Sequence, residues 1–396
     1  MDDLDETGRC VVVGASMGGL RAAEAARKAG FGGEIVVFGT EPHMPYNRPP
    51  LSKDALLAEA DGLTFRVPRA AQDVAWRLGE TVVGSDLTSH TVTLAGGETL
   101  EWSGLVVATG LSPRRLSLPG PTEGRHVIRT LDDVAALRAE LRPGARLVII
   151  GAGFIGCEVA AAARGAGMEV DVVAPENVPV ERPLQTMLGK ALQRRHEARG
   201  VRFHLGGQLP IGYGGTGRVT SVRLNNGSEL AADVVIEAVG CTPNTQWLEG
   251  NGLDLSDGVL CDNLLRVEGR PDVVACGDVA RFPNVLFDEV PRRVEHWTMV
   301  TDTAKRAGAT LGAYLAGNEL DGKPFAPIPS FWSDQYELRL QSFGAVGLGG
   351  DDVRVLEGDL DDEAAVGYHL DGRLVGVVLI GLASRYQHYR SVIAAG

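Results

Sequence analysis

The chain has 396 residues, 44% of them hydrophobic and 22% charged, and a formal net charge of −13. The length is enough for two or three domains, and the composition is typical of a globular protein. The acidic balance argues against nucleic acid as a ligand, because phosphates require a basic face. No apolar run reaches the roughly 18 residues that span a bilayer. Residues 1–9 are acidic and lack the apolar region of a secretory signal, so we expect a cytoplasmic protein.

The cysteines are too widely spaced in the sequence to predict a metal site or a redox-active pair. Zinc sites and dithiol relays need closely spaced thiols, and neither C-x-x-C nor C-x-x-x-x-C occurs. Each cysteine lies in an apolar or glycine-rich segment, so we interpret all of them as buried small side chains. They are Cys10, Cys157, Cys241, Cys261 and Cys276.

Residues 10–37 have the pattern of a dinucleotide-binding unit. An apolar strand is followed by a glycine-rich turn, an alanine-rich helix and a second apolar strand. Gly14 and Gly19 occupy the first and third glycine positions of the turn, and Ser16 occupies the second. Ser16 is small enough to permit fairly close approach of a phosphate.

Two candidate ligand contacts follow the second strand. An acid at this place binds a ribose hydroxyl in dinucleotide-binding units, and Glu41 is available, with Thr40 as a replacement or an aid. Residues 42–53 then contain four prolines, which stiffen the backbone and exclude a helix. Arg48 and Lys53 in this loop suit contact with a phosphate or a flavin, but an ordinary proline-rich surface turn fits the pattern equally well.

Residues 81–120 predict a hairpin, a buried strand and a domain boundary. Residues 81–100 alternate in strand fashion around a Gly-Gly turn. Residues 105–110, LVVATG, predict an apolar strand whose end passes beneath a cofactor, although any buried central strand would look the same. The proline- and glycine-containing stretch 113–120 is the first plausible domain boundary.

Residues 147–173 repeat the pattern of residues 10–37. Gly151, Gly153 and Gly156 supply all three glycines, after a predicted helix at 132–142 and a strand at Arg146–Ile150. The first glycine permits a tight turn, the second admits a pyrophosphate and the third lets helix pack on strand. One such turn could merely join a strand to a helix. Two in the same context predict two bound dinucleotides, each with its phosphates at a helix N-terminus.

The second unit contains three charged residues of interest. Glu158 is either a carboxylate favoured by the helix dipole or a group facing a nicotinamide. The strand Glu169–Val173 is followed by Glu176 and Arg182. An acid here favours NAD and an arginine favours NADP, and the balance leans to NADH.

The rest of the chain predicts a return to the first domain and then a third one. Residues 234–244 and 273–280 are apolar strands, and Asp278 is placed to bind a ribityl or phosphate-linked hydroxyl. Residues 292–297 open a long helix to residue 315. Beyond residue 317 the pattern predicts short antiparallel strands and a terminal helix from about residue 384.

Seven motifs occur in order along the chain, namely GASMGGLRAAEAAR, PYNRPPLSK, ATGLSPRR, GAGFIGCEVA, CGDVARF, RRVEHW and FWSDQYE. Their order and spacing resemble the FAD-dependent ferredoxin reductases of bacterial P450 and Rieske dioxygenase systems, to which apoptosis-inducing factor is related. The resemblance covers nearly the whole chain. It implies an α/β fold with two Rossmann-like dinucleotide-binding domains, in a glutathione reductase-like three-domain architecture completed by a C-terminal α+β domain. The implied limits are 1–115 with 244–322 for FAD, 116–243 for NAD and 323–396 for the C-terminal domain.

The resemblance also implies the residues that bind the cofactors FAD and NAD. For FAD they are Gly14, Ala15, Ser16, Gly18, Gly19, Arg48, Lys53, Ala108, Thr109, Gly110, Arg129, Asp278, Glu295, His296 and Trp297. For NADH they are Gly151, Gly153, Phe154, Ile155, Gly156, Glu158 and Gly240. Thr40, Glu41, Val83, Glu176 and Gly277 complete the predicted cofactor contacts.

Three residues are implied to be catalytic. Lys53 and Glu158 are expected to pair near the flavin N5 atom. Trp332 is expected beside the isoalloxazine and nicotinamide, near the docking surface of the partner. On sequence alone, a tryptophan between apolar residues is more often part of a core.

The chain departs from the family pattern at three positions. Thr40 stands where the family usually has an acid, so Glu41 is the expected ligand of the FAD adenosine ribose. Ala174 stands where the family has the glutamate that specifies NAD, which leaves the choice between NADH and NADPH open. Asn47 replaces an aspartate, and we attach no functional consequence to it.

The predicted function is an NADH-dependent FAD reductase that passes electrons to a ferredoxin. Hydride would move from nicotinamide C4 to flavin N5, with Lys53 stabilising negative charge on the reduced ring and Glu158 holding the lysine. We expect a monomer or weak homodimer that docks an acidic ferredoxin on local cations, although a solvated surface explains those cations nearly as well. The candidate cations are Arg292, Arg293, Lys305 and Arg339.

Two other functions remain open at this point. One is an NADH oxidase or another NADH-dependent flavin oxidoreductase without a ferredoxin. The cysteine spacing counts against a disulfide reductase, but direct oxygen reduction is compatible with the sequence. The other is a flavoprotein whose redox state regulates a binding partner.

Overall fold

The computed structural model describes residues 8–59 and 61–395, so most of the acidic segment 1–9 lies outside the described residues. The α-helices in this part of the chain are α1 (Met17–Lys28), α2 (Asp54–Leu57), α3 (Leu131–Arg138), α4 (Phe154–Gly165), α5 (Glu181–Glu197), α6 (Trp297–Leu315) and α7 (Tyr386–Ala395). The strands are β1 (Arg9–Val13), β2 (Glu34–Gly39), β3 (Ala75–Leu78), β4 (Val82–Asp86), β5 (Thr91–Leu94), β6 (Thr99–Glu101), β7 (Gly104–Val107), β8 (Leu111–Pro113), β9 (Arg125–His126), β10 (Arg146–Ile150), β11 (Glu169–Val173), β12 (Val201–His204), β13 (Pro210–Gly214), β14 (Ser221–Leu224), β15 (Glu229–Ala231), β16 (Val234–Glu237), β17 (Cys241–Pro243), β18 (Val259–Leu260), β19 (Val273–Ala275), β20 (Ala280–Asn284), β21 (Asp288–Arg293), β22 (Ser330–Gln335), β23 (Leu338–Gly344), β24 (Val353–Gly358), β25 (Ala364–Leu370) and β26 (Arg373–Ile380).

The chain forms two compact units. Unit 1 comprises Met1–Asn47, Gly62–Ser112 and Pro243–Pro329, and unit 2 comprises Arg48–Asp61, Pro113–Thr242 and Ser330–Gly396. Residues 48–61 therefore group with unit 2, whereas the sequence assigned them to the first part of the FAD domain. The division into FAD, NAD and C-terminal domains stays a prediction.

Unit 1 is built on a parallel sheet with the strand order β19-β7-β1-β2-β3. Its inner strands are runs of buried apolar residues, as strands covered on both faces require. Helices α1 and α6 approach each other closely at Gly308 and Gly312 of α6. A Cβ atom at either glycine would collide with the backbone of Ala22 or Ala26 in α1. Two three-stranded sheets, β4-β5-β6 and β18-β20-β21, also lie in this unit.

Unit 2 contains a second parallel sheet and an antiparallel C-terminal sheet. The parallel sheet has the order β12-β11-β10-β16-β9, beside the antiparallel meander β13-β14-β15. The C-terminal sheet has the order β22-β23-β26-β25-β24, with antiparallel neighbours throughout. Leu184 and Leu188 of α5 share a buried core with Val366 and Val378 of this sheet.

The predicted α/β fold is confirmed, and two predicted strands, β10 and β11, have the expected limits. The helix predicted at 132–142 is the shorter α3, whose N-terminus is fixed by a capping box between Thr130 and Asp133. No helix within residues 8–59 and 61–395 has both the length and the hydropathy of a membrane span.

Three local predictions were wrong. Residues 292–297 do not open a helix, because β21 continues to Arg293 and α6 begins only at Trp297. The proline-rich loop is not free of helix, because Pro49–Ser52 forms a 3-10 turn. Proline suits the first turn of a helix, where its missing N–H costs nothing. Cys241 is only partly buried, since it lies on the short strand β17, where side chains alternate between partial burial and exposure.

Candidate active site

The cofactor-binding residues predicted in unit 1 lie just beyond the ends of neighbouring parallel strands. Gly14 follows β1, Thr40 follows β2, Ala108 follows β7 and Gly277 follows β19. Parallel strands end at a common edge, so these residues share one edge of the sheet. In open α/β sheets this carboxyl edge is where ligands bind.

The first glycine turn is walled by the unit's own backbone. Gly14 has φ +122, a conformation that strains any L side chain, and a Cβ atom there would collide with the carbonyl oxygen of Ala108. A Cβ atom at Gly19 would collide with the carbonyl oxygen of Gly14. Ser16 lies at the N-cap of α1 but makes no side-chain capping hydrogen bond. The N-terminus of α1 therefore retains the character of an anion site.

The segment from Ala108 to Gly110 is fixed by an asparagine that sequence reasoning missed. Thr109 Oγ1 donates to the carbonyl oxygen of Asn244 at 2.7 Å, and Asn244 Nδ2 donates to the carbonyl oxygen of Thr109 at 2.9 Å. Asn244 stands directly after β17, whose sequence is C-T-P. The only signal in the sequence was a polar residue just beyond the end of a strand.

The residues at the end of β2 hold the predicted ribose ligands. Glu41 accepts a hydrogen bond of 2.6 Å from the hydroxyl of Tyr46. Thr40 is exposed, and its Oγ1 accepts a hydrogen bond from Thr81 Oγ1 at 3.1 Å. Val83, on β4, is 52% exposed.

The last group of predicted residues in unit 1 flanks β19 and α6. Gly277 donates its N–H to Thr303 Oγ1 at 2.9 Å, and Asp278 follows it in a short 3-10 turn. Glu295 accepts a charged hydrogen bond of 2.8 Å from Arg293. His296 stands at the N-cap of α6, and desolvation lowers its pKa to about 4, so its imidazole is neutral at pH 7. Trp297 is the first residue of α6.

In unit 2 the same relation between strand ends and predicted residues recurs. Gly151 follows β10, and Glu176, Gly240 and Arg129 lie a few residues beyond β11, β16 and β9. All four strands are neighbours in one parallel sheet. Gly151, Glu176 and Gly240 are predicted to contact NADH and Arg129 to contact FAD, so predicted contacts of both cofactors lie at this carboxyl edge.

The second glycine turn repeats the walls of the first. Gly151 has φ +113, and a Cβ atom there would collide with the carbonyl oxygen of Ala238. A Cβ atom at Gly156 would collide with the carbonyl oxygen of Gly151. At Gly153 a Cβ atom would meet nothing within 4 Å. The middle glycine therefore faces open space at the N-terminus of α4.

The first residues of α4 and the acid beyond β11 complete this edge. The ring of Phe154 lies 4.8 Å from that of Phe331, and Ile155 is 42% exposed. Glu176 is bound by Arg182, whose Nε lies 2.8 Å from its carboxylate. Ala174 is buried, so it offers no group to a ligand.

Lys53 and Glu158 are brought together in unit 2. Lys53 Nζ lies 2.7 Å from Glu158 Oε2 and donates a second hydrogen bond of 3.1 Å to the carbonyl oxygen of Pro49. The carboxylate of Glu158 is buried and accepts two further hydrogen bonds, from Ser52 Oγ at 2.5 Å and from Ser333 Oγ at 2.7 Å. Both of its oxygens are thus satisfied, and the ammonium group is held from two sides.

Trp332 does not join this cluster. It lies on β22 with its neighbour Ser333, and successive residues of a strand point to opposite faces. The guanidinium carbon of Arg339 lies 6.0 Å from the Trp332 ring centroid.

Two residues predicted to contact FAD, Arg48 and Arg129, are also hydrogen-bonded to each other in unit 2. Arg48 donates to the carbonyl oxygen of Arg129 at 2.7 Å.

Three of the four predicted docking cations are ion-paired. Arg292 pairs with Asp288, Arg293 with Asp257 and Glu295, and Arg339 with Asp334. Lys305 is exposed on α6. The exposed pairs of Arg292 and Arg339 contribute little to stability, whereas the Arg293 side chain is only 12% exposed.

Most cysteines are inert. Burial raises the pKa of the Cys10, Cys157 and Cys276 thiols to about 12 and that of Cys261 further. A thiol, unlike a thiolate, is a poor nucleophile.

Comparison with known proteins places this geometry in a family. Residues 8–308 match the model of the pyridine nucleotide-disulphide oxidoreductases, and residues 330–396 match the reductase C-terminal domain. The anthranilate 1,2-dioxygenase system ferredoxin–NAD(+) reductase component of Burkholderia cepacia is 35% identical over 98% of this chain and 94% of its own length. Rhodocoxin reductase of Rhodococcus erythropolis is 32% identical over 97% of this chain and 89% of its own length.

Two solved structures are similar over almost the whole chain. The covalent putidaredoxin reductase–putidaredoxin complex matches with a TM-score of 0.90 and 29% identity, over 99% of this chain and 94% of the matched chain. The ferredoxin reductase for the CYP199A2 system of Rhodopseudomonas palustris matches with a TM-score of 0.88 and 33% identity, over 96% and 93%. The resemblance inferred from the seven motifs is confirmed, and the chain belongs to the pyridine nucleotide-disulphide oxidoreductase family.

Proposed function

We propose that this chain is an NADH-dependent FAD reductase that passes electrons from NADH through FAD to a ferredoxin serving a P450 or Rieske oxygenase. The observation that carries the proposal is the pair of like glycine turns, each opening a helix at the carboxyl edge of a parallel sheet. A relative named as a ferredoxin–NAD(+) reductase component, 35% identical over 98% of this chain, supports the choice of acceptor.

The residues of both turns fit a dinucleotide. The surrounding backbone demands the first and third glycines. A Cβ atom added at Gly153, in contrast, would meet nothing within 4 Å beyond its chain neighbours. Neither Ser16 nor Gly153 caps its helix with a side chain, so a phosphate can take that place. The buried end of β7 and the Asn244 bonds to Thr109 hold a rigid floor beside the first turn.

Lys53 and Glu158 would act on the cofactor chemistry through charge. FAD, when bound, accepts a hydride from NADH and releases electrons one at a time to an iron–sulfur protein. Lys53, proposed to lie beside the flavin, would stabilise negative charge there, and Glu158 fixes the position of its ammonium group. Trp332 and the neighbouring Arg339 are proposed to lie near the ferredoxin docking surface.

We also propose that NADH is preferred over NADPH. Glu176 lies beyond β11, where an acid binds the adenosine ribose, and its side chain is only 22% exposed. Arg182 is the arginine that follows most closely in the sequence and could bind the NADP phosphate, but it is bound to Glu176. It would have to leave this partner to bind the phosphate.

For the cellular location we propose the cytoplasm. The five cysteines, all within the described residues, are not joined in disulfides. Reducing compartments keep thiols in this state, whereas oxidising ones favour disulfides.

The test is spectroscopic. The purified protein should be yellow, NADH should bleach it anaerobically, and cytochrome c reduction should require added ferredoxin. Protein that stays colourless after flavin is supplied would overturn the proposal. Rapid peroxide formation without ferredoxin would instead indicate an oxidase, and a long-lived reduced complex that dimerises would indicate the regulatory function.

A further inference from the structure

A continuous hydrogen-bonded chain of side chains leads away from Glu158 through unit 2. Ser333 Oγ lies 2.7 Å from Glu158 Oε1, and Gln335 Nε2 lies 3.1 Å from Ser333 Oγ. Beyond them, His196 Nε2 lies 2.8 Å from Gln335 Oε1, and the hydroxyl of Tyr336 lies 3.2 Å from His196 Nδ1. Gln335 and Tyr336 lie in the motif FWSDQYE but have no role assigned from the sequence, and the proposed chemistry does not use the part beyond Ser333.

The charge at one end of this chain fixes the direction of every bond in it. A carboxylate can only accept, so Ser333 must donate to Glu158 and is left to accept from the amide nitrogen of Gln335. The amide oxygen of Gln335 can then only accept, so Nε2 of His196 must carry a hydrogen. Nδ1 of the neutral ring accepts in turn from the Tyr336 hydroxyl. All four donors therefore point toward Glu158.

The surroundings strengthen this polarity. Ser333, Gln335 and His196 are each at most 1% exposed, and hydrogen bonds are stronger where water is excluded. The groups that face His196 are Gln335, Tyr336, the cation Arg199 and the apolar ring of Phe203. Desolvation lowers the pKa of His196, which keeps the ring neutral at pH 7.

The far end of the chain lies at the surface. Tyr336 and His196 line an open cavity of about 340 Å³ together with Arg199 and Glu337. Arg199 also lies over the Tyr336 ring, 4.5 Å from its centroid. The chain thus connects a solvent-accessible site to the buried carboxylate.

We propose that Ser333, Gln335 and His196 are positioning residues, which hold Glu158 as a carboxylate in the orientation that fixes Lys53, with His196 locked as its Nε2–H tautomer. The polar residues at alternate, buried positions of β22 serve this purpose rather than the core. The role of Lys53 toward the flavin rests on the proposed function, but the state of His196 does not.

The first test is nitrogen-15 NMR of the histidine-labelled full chain, as purified, at pH 7, with the His196 signal assigned by its loss in His196→Gln. The neutral Nε2–H tautomer is expected, with the Nδ1 resonance far downfield of Nε2. A charged ring or the Nδ1–H tautomer would overturn the proposal. This measurement needs no variant other than the one used for assignment, and no NADH or ferredoxin.

The second test is the pH profile of flavin reduction by NADH in a stopped-flow instrument. Ser333→Ala removes one hydrogen-bond donor from the Glu158 carboxylate, which makes its protonation easier. The fall in the reduction rate on the acid side of the pH profile should therefore occur at higher pH. We expect the rate at neutral pH to fall about tenfold, the usual order for a lost hydrogen bond to a charged group. Ser333→Cys, which keeps a weak donor, should lie between the two.

The matched control is Ser342→Ala. Ser342 is also buried in the C-terminal sheet, but within the described residues its hydroxyl has no hydrogen-bond partner. If Ser333→Ala and Ser342→Ala gave the same pH profile, Ser333 would be an ordinary core residue and the proposal would fall. A colourless protein with the expected His196 tautomer would overturn the proposed function and leave the hydrogen-bonded chain supported.

Discussion

The two glycine turns, one in each unit, have the same backbone restriction at the first and third positions but differ at the middle position. At the first and third positions, Gly14 and Gly19 in unit 1 and Gly151 and Gly156 in unit 2, an added Cβ atom would collide with a backbone carbonyl oxygen. The backbone itself therefore demands these four glycines, whatever ligand is bound.

The middle position is free of this demand. Ser16 occupies it in unit 1 with φ −105, and Gly153 occupies it in unit 2 with φ −76, and both values suit any residue. Apart from Gly153 and its two chain neighbours, no protein atom lies within 4 Å of the place where a Gly153 Cβ would stand. The difference indicates that a middle glycine serves the ligand rather than the fold.

The helices that follow the two turns differ in charge at equivalent positions. Arg21 of α1 occupies the position of Glu158 in α4, five residues into each helix. Arg21 pairs with Glu24 on its own helix at 2.8 Å. Glu158 instead binds Ser52, Lys53 and Ser333 from two other segments of unit 2. Only the second helix therefore ties distant parts of its unit together through this position.

The largest effect is expected from Gly156→Ala. The new methyl group would overlap the carbonyl oxygen of Gly151, so the turn or the helix must shift, at a cost of about 3 kcal/mol or more in unfolding free energy. Chemical denaturation followed by circular dichroism measures this loss. Gly165→Ala, in the same helix with open space around it, should be neutral or slightly stabilising. Equal stability of the two variants would show that the carbonyl oxygen of Gly151 does not exclude a side chain at position 156.

The next effect separates the two helices. Glu158→Gln removes the charge that holds Lys53, so flavin reduction by NADH should slow by about 10²-fold, the order found when one stabilising group is removed from an active site. Arg21→Gln removes only a pair within α1, and its rate should stay within about twofold of the parent. Stopped-flow absorbance measures both rates. A large loss in Arg21→Gln would contradict the contrast drawn between the helices.

A smaller effect follows from exchanging the middle residues. Gly153→Ser should leave the unfolding free energy within about 0.5 kcal/mol of the parent, because serine is a good N-cap. The same substitution should raise the NADH dissociation constant by about three- to tenfold, a change of roughly 1 kcal/mol. Ser16→Gly in unit 1 should retain FAD. Lost stability with unchanged NADH affinity in Gly153→Ser would reverse the interpretation of this position.

The sequence was informative where the backbone itself restricts the residue and less so where side chains from distant segments meet. The repeat of Gly151 on Gly14 predicted both turns, because the third glycine of each turn is required by the carbonyl oxygen of the first, a few residues earlier in the chain. The pairing of Lys53 with Glu158 came only from family resemblance, because 105 residues separate them. His196 and Gln335 were missed for the same reason, as a buried polar residue on a strand resembles an exposed one until its neighbours are known. The start of α6 was misplaced because Arg292 and Arg293 suit a helix, whereas pairing with β20 holds them in a strand.

The smallest expected effect concerns a thiol near each turn, Cys10 of β1 and Cys157 of α4. Both are buried, and desolvation raises their pKa to about 12, so neither should react with Ellman's reagent in the native protein. We expect native labelling at the partly buried Cys241 alone, its abolition in Cys241→Ser, and reaction of all 5 cysteines in guanidinium. Blocking Cys241 should leave ferredoxin-dependent turnover unchanged. A disulfide reductase requires a reactive thiolate beside its flavin, so rapid native labelling of Cys157 with loss of turnover would favour that chemistry over electron transfer to ferredoxin.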